Sequence, residues 1–211
     1  MEGRTRLILV TDGDNIARRA MEVAAAELNL RCISASAGNP TPLTGPQLLG
    51  LIAQVPYDPV LVMVDDKGDP GRGRGEQVLD YLCHSDAVEV LGVVAVASHT
   101  KLARGTHVDL SITRQGRLFS GPVDKEGDPR RREEFLCGDT VDVLRTIQVP
   151  IIVGLGDPGK MHGSDDVLRG CHVTIRAIQT VLHHHGLAPA PVGGVPPLPP
   201  PHPRAEGASL D

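Results

Sequence analysis

The stretch RLILVTDGDNIARRAMEVAAAELNL, Arg6 to Leu30, decides the fold. Arg6 to Val10 is a short apolar run, and Ile16, Ala20, Val23 and Ala24 then recur at helical spacing. A buried strand that feeds an amphipathic helix is one unit of a parallel sheet with covered faces. The unit recurs along the chain. RCISASAG reads as a strand, and Leu48, Leu51, Ile52 and Val55 mark a second helix face. PVLVMV is a strand and EQVLDYLC a helix, and VEVLGVVAVA follows as another strand. VDLSI pairs with RLFS across TRQG, DTVDVLRTI reads as a helix, and VPIIVGL is the last strand. VTIRAIQTVLHHHG is the closing helix, with Thr174 as its expected N-cap and Gly186 as its stop. Such alternation predicts an α/β fold: a doubly wound, mostly parallel open sheet in three layers, flavodoxin- or toprim-like.

Composition agrees. Aromatics are only 2% of the 211 residues and tryptophan is absent, so the core must be Val, Ile, Leu and Ala. That scarcity and a formal net charge of -5 argue against nucleic acid as a partner. Cys32, Cys83, Cys137 and Cys171 form no C-x-x-C pair and read as buried thiols rather than a disulfide frame. The opening MEGRTRLILVTDGD has no signal-peptide apolar region, and the longest apolar run, VLGVVAVA, is too short to span a bilayer. Residues 1–186 read as one α/β domain. Residues 187–211 hold eight of the 18 prolines and read as a disordered, partly polyproline tail.

In a doubly wound sheet ligands sit beyond the carboxyl ends of the strands. Acids collect there: Asp12 and Asp14 after the first strand, Asp65 and Asp66 after the third, and Asp157 after the last. Grouped carboxylates call for a neutralising cation, so these five are candidate ligands for Ca²⁺ or Mg²⁺. Helix capping is the competing explanation, and for Asp14 the two weigh evenly.

After Asp65 and Asp66 comes GDPGRGRGEQ. It lacks the Lys-Ser/Thr of a Walker loop, and a helix follows it where a kinase loop needs a hairpin. What remains is a glycine turn at a helix start, with Gly71, Arg72, Gly73, Arg74 and Gly75 as a candidate anion cradle and Lys160 reaching the same cleft. A solvated loop is equally compatible. Gly154, Gly156 and Gly159 match G-x-G-x-x-G, but no later strand exists to carry a ribose-binding acid. Asp12-x-Asp14 loosely resembles the start of haloacid-dehalogenase phosphatases and of toprim domains. Asp12, Asp65, Ser98 and a lysine resemble a receiver's acid pocket. His183, His184 and His185 suit a solvated helix end better than a metal site. No catalytic residue is assigned.

The blocks LILVTDGDNIARRAMEVAA, RCISASAGNPTPLTG, YDPVLVMVDDKGDPGRGRGEQ, GPVDKEG and VPIIVGLGDPGKMHGSDD, with the shorter ones between them, resemble the soluble stage V sporulation protein AE family of spore-forming bacteria. The resemblance runs from Leu7 to Gly186. It implies a non-enzymatic accessory component of the spore's dipicolinic acid channel and germination apparatus, soluble in the cytoplasm or peripheral to the spore inner membrane. Its partners would be the channel's membrane proteins, with dipicolinate and Ca²⁺ as candidate ligands and a homo-oligomer left open. Two other classes stand beside it: a Mg²⁺-dependent phosphoryl-transfer enzyme or hydrolase using the strand-end aspartates, and a receiver-like small-ligand sensor.

Overall fold

The computed structural model describes residues 3–68, 72–99 and 103–187. Gly71 of the candidate cradle and the tail from residue 188 onward lie outside the described residues. Strands β1 (Thr5–Val10), β2 (Arg31–Cys32), β3 (Val60–Met63), β4 (Val88–Val96), β5 (Leu110–Ile112), β6 (Leu118–Phe119) and β7 (Ile152–Leu155) form one sheet in the order β2-β3-β1-β4-β7-β5-β6. All pairings are parallel except β5 with β6, the expected hairpin. Helices α1 (Asn15–Glu27), α2 (Gly45–Ile52), α3 (Arg74–Cys83) and α4 (His172–His184) cover it. β3 lies between β2 and β1, so the first crossover through α1 steps over one strand position.

The alternation of side chains along each strand divides the core in two. Leu7, Leu9, Val60, Val62, Val93 and Ala95 point to one face and pack with Leu48, Leu79 and Leu82 of α2 and α3. Ile8, Val10, Leu61, Met63, Val94 and Val96 point to the other and pack with Ala17, Met21, Ala177 and Ile178 of α1 and α4. Neighbours on a strand therefore bury against different helix layers, each large side chain contributing roughly 1.5–3 kcal/mol. This is the three-layer α/β/α arrangement.

Three local readings are corrected. The second strand stops at Cys32, because residues 34–36 turn into a 3₁₀ helix and the Ser36 hydroxyl accepts from the Met63 N–H at 2.8 Å. The helix expected over DTVDVLRTI is a single 3₁₀ turn, Asp142–Arg145. Its backbone is bound elsewhere: Asp142 accepts from the N–H groups of Arg104 and Gly105, and the Val143 N–H donates to Glu76. The β-branched residues around it favour helix weakly. Finally, α4 starts at His172, so Thr174 lies inside its first turn rather than at the cap.

Candidate functional site

β1 and β3 are adjacent, and the helices after them, α1 and α3, lie on opposite faces of the sheet. Their carboxyl ends therefore open into the crevice where doubly wound folds place ligands. Hydroxyls finish the sheet's hydrogen bonding at this edge. Thr11 accepts from the Val96 N–H at 2.9 Å, Thr41 from Asp65 at 2.7 Å and Thr140 from Asp66 at 3.0 Å. Sequence reasoning missed these three; a Ser or Thr in the loops that cap an apolar strand is the signal that points to them.

The acids divide by task. Asp14 caps α1, accepting from the Ile16 and Ala17 N–H groups at 2.8 Å each. Asp65, almost wholly buried, accepts from the Gly13 N–H at 3.1 Å and the Lys67 N–H at 2.9 Å, which ties the ends of β1 and β3 together. Asp66 accepts from the Gly75 and Glu76 N–H groups at the start of α3. A Cβ on Gly73 would come within 2.3 Å of the Asp66 carboxylate, and one on Gly75 within 2.6 Å of the Asp65 backbone. The two glycines thus let a helix start press against a strand end, and the anion it attracts is the chain's own Asp66. Arg72 pairs with Asp80, and Arg74 donates to the Pro42 carbonyl at 3.4 Å.

Lys160 lies at the crevice. Its Nζ lies 2.6 Å from Asp14 and 3.4 Å from Asp157, so it neutralises the edge between α1 and the loop after β7. The glycine spacing of that loop has a packing cause. A Cβ on Gly156 would stand 2.7 Å from the Lys125 carbonyl and the Gly127 nitrogen, and Gly159, at φ +76°, abuts Ile16. Asp12 completes the group, its carboxylate accepting from the Asp14 N–H at 3.1 Å.

Burial dominates the electrostatics. It pushes Asp12 up to about 7 despite the Asp14 N–H, and the charges of Asp14 and Asp65 add to the rise while Lys160 opposes it. Burial raises Asp65 to about 6 against the Lys67 N–H, with Asp139 and Asp66 adding to it. Asp157 is also raised by burial, in spite of Lys160. Burial would raise Asp14 too, but the Lys160 ammonium and the α1 N–H groups outweigh it and hold this acid low. Lys160 is raised in turn, its carboxylate neighbours overcoming burial.

Two further acids, unremarked or undervalued in the sequence, shape the edge. Buried Glu76 accepts from the Val143 N–H at 2.9 Å; burial, with Asp66 and Asp142 nearby, lifts it to about 7. Asp165, fully buried, accepts from the N–H groups of Gly159, Val173 and Thr174 and from the Thr174 hydroxyl, so it is the cap that Thr174 was expected to be. A Ca²⁺ or Mg²⁺ cage needs six or more oxygens turned to one point. Among the described residues no group of three or more His, Cys, Asp or Glu side chains is placed to hold a metal ion. The oxygens of Asp14, Asp65 and Asp66 face backbone N–H groups or Lys160 instead. Chemically, the edge offers carboxyls that burial raises, Asp12 and Glu76 to about 7 and Asp65 to about 6, with the Lys160 ammonium near Asp12.

The model of the family described as Stage V sporulation protein AE1 matches residues 6–185. Searches of curated proteins and of solved structures find no match. Among the described residues no helix is long and apolar enough to cross a membrane.

Proposed function

The chain belongs to the Stage V sporulation protein AE1 family and is a sporulation-related protein; from that premise we propose that it is a non-enzymatic, soluble accessory component of the machinery that loads dipicolinic acid into the spore and releases it at germination. The observation that carries the non-enzymatic part is the engagement of the strand-end acids. Asp14, Asp66 and Asp165 each close a helix start, and Asp65 ties two strands, so these carboxylates act as architecture. A phosphoryl-transfer site needs such groups turned outward to a metal and a nucleophile. The partners in this reading are the channel's membrane proteins, approached from one side of the spore inner membrane.

The test is genetic and chemical. In a spore former lacking its own copy of this protein, the wild-type gene should restore calcium dipicolinate content and its release rate at germination, and Asp12→Asn should restore them as well. Unchanged content and release in the deletion strain would overturn the reading. Loss of both with Asp12→Asn alone would favour the sensor reading instead, which draws on the near-neutral carboxyl that Asp12 holds beside Lys160.

A further inference from the structure

A cavity adjoins the 3₁₀ turn at Asp142–Arg145. It has a volume of about 350 Å³ and lies under the Asp142–Arg145 turn, at the amino ends of β5 and β7 and so at the opposite edge of the sheet from the acidic crevice. Val108, Leu144, Ile147, Val149 and Ile152 give it aliphatic walls. Its size falls at the small end of the roughly 300–1,000 Å³ range of ligand sites.

The roof is fixed before anything binds. Asp142 holds it to the N–H groups of Arg104 and Gly105 at 3.0 and 2.8 Å, and Glu76 holds it to α3 through the Val143 N–H. Arg145, at the rim, is oriented by the Gly105 carbonyl at 3.3 Å and by the Phe135 ring, 5.0 Å from its guanidinium carbon. Among the described residues no carboxylate forms an ion pair with Arg145, whereas the neighbouring His107 has Glu134 at 3.6 Å. Asp109 lines the same cavity, its carboxylate accepting from the Ile152 N–H at 2.7 Å.

We propose that this cavity binds a small organic monocarboxylate, its apolar body against the aliphatic walls and its carboxylate on Arg145. A planar guanidinium already held in place recognises a carboxylate with little further ordering, and it discriminates against neutral isosteres.

Calorimetric titration of the full chain with benzoate and cyclohexanecarboxylate, against benzamide and cyclohexanecarboxamide, tests this. Both acids should bind at least about tenfold more tightly than their amides. Arg145→Gln, at an exposed position, should remove that preference and leave amide binding as it was. Arg145→Lys should keep part of it, and Arg19→Gln, at an exposed position of α1, should keep all of it. Absence of saturable binding up to about 10 mM, equal affinity for acids and amides, survival of the preference in Arg145→Gln, or its loss in Arg19→Gln would each overturn the proposal.

Discussion

Glu76→Gln isolates the electrostatic tension of the acidic edge. Glu76 is 4% exposed, accepts from the Val143 N–H, and faces the carboxylates of Asp66 and Asp142. Its carboxyl rises from the ordinary 4.5 to about 7 in the folded chain. The folded state therefore keeps a proton that the unfolded state has already released between these two values. Stability is fully present below about 4.5 and is lost as pH climbs through about 7. Each pH step corresponds to about 1.4 kcal/mol, so the whole rise opposes the fold by about 3 kcal/mol at pH 8. Glutamine keeps the acceptor for Val143 and removes the charge. Urea denaturation from pH 5 to 8.5 should show the variant within about 1 kcal/mol of wild type at the acid end and about 2–3 kcal/mol more stable at pH 8. Asp12 and Asp65 titrate in the same window in both proteins, so the difference between the two curves reports Glu76 alone. A difference that does not change with pH, or a variant less stable at pH 8, refutes the reasoning.

Other perturbations probe the caps and the close approaches. Asp165→Ala strips the buried partner from the first turn of α4 and from Gly159, and should lower stability by about 3 kcal/mol or more in the same denaturation assay, with hydrogen exchange rising first at Val173 and Thr174. Gly75→Ala places a methyl 2.6 Å from the Asp65 backbone and should destabilise by roughly 1–3 kcal/mol. Gly50→Ala, where a Cβ meets nothing within 4 Å inside α2, should stabilise by about 0.5–1 kcal/mol, visible as a higher Tm.

The fold was legible because its strands are continuous apolar runs and its helices carry one apolar stripe, patterns that survive without knowledge of tertiary contacts. Leu7 to Val10 and Val60 to Met63 could be placed in a parallel sheet from sequence alone, and the β5–β6 pairing followed from TRQG. What failed depended on partners far along the chain. The 142–145 turn has the composition of a short helix, but Glu76, 67 positions away, takes the Val143 N–H, and residues 104 and 105 take the Asp142 carboxylate. The strand after Arg31 ends where a hydroxyl from Ser36 substitutes for it beside Met63. At the site, the sequence placed Asp14 and Lys160 at the carboxyl edge of the sheet, where the two form an ion pair. That Asp66 would fill the glycine turn after it was hidden, since the approach of α3 to β3 is set by Gly73 and Gly75 packing against a strand end.

The distribution of tasks among the acids singles out one residue. Asp14, Asp66 and Asp165 stabilise the starts of α1, α3 and α4, where negative charge is favoured by the helix dipole. Asp65 bonds two backbone N–H groups on different strand ends, and that geometry requires its carboxylate. Among the described residues Asp12 makes one hydrogen bond, to the Asp14 N–H two residues on, which asparagine or serine would make as well without introducing charge. Its carboxyl is nevertheless held in a half-buried position beside Asp14 and Asp65, where ionisation is opposed up to about 7. The scaffold therefore draws no stability from this charge, in contrast to the caps and to Asp65. Asp12→Asn should accordingly leave denaturation at pH 8 unchanged or raise it, whereas the same change at Asp65 should weaken the fold. If Asp12→Asn destabilised the protein as much as Asp65→Asn, Asp12 would join the scaffold and the crevice would hold no residue beyond those that build it.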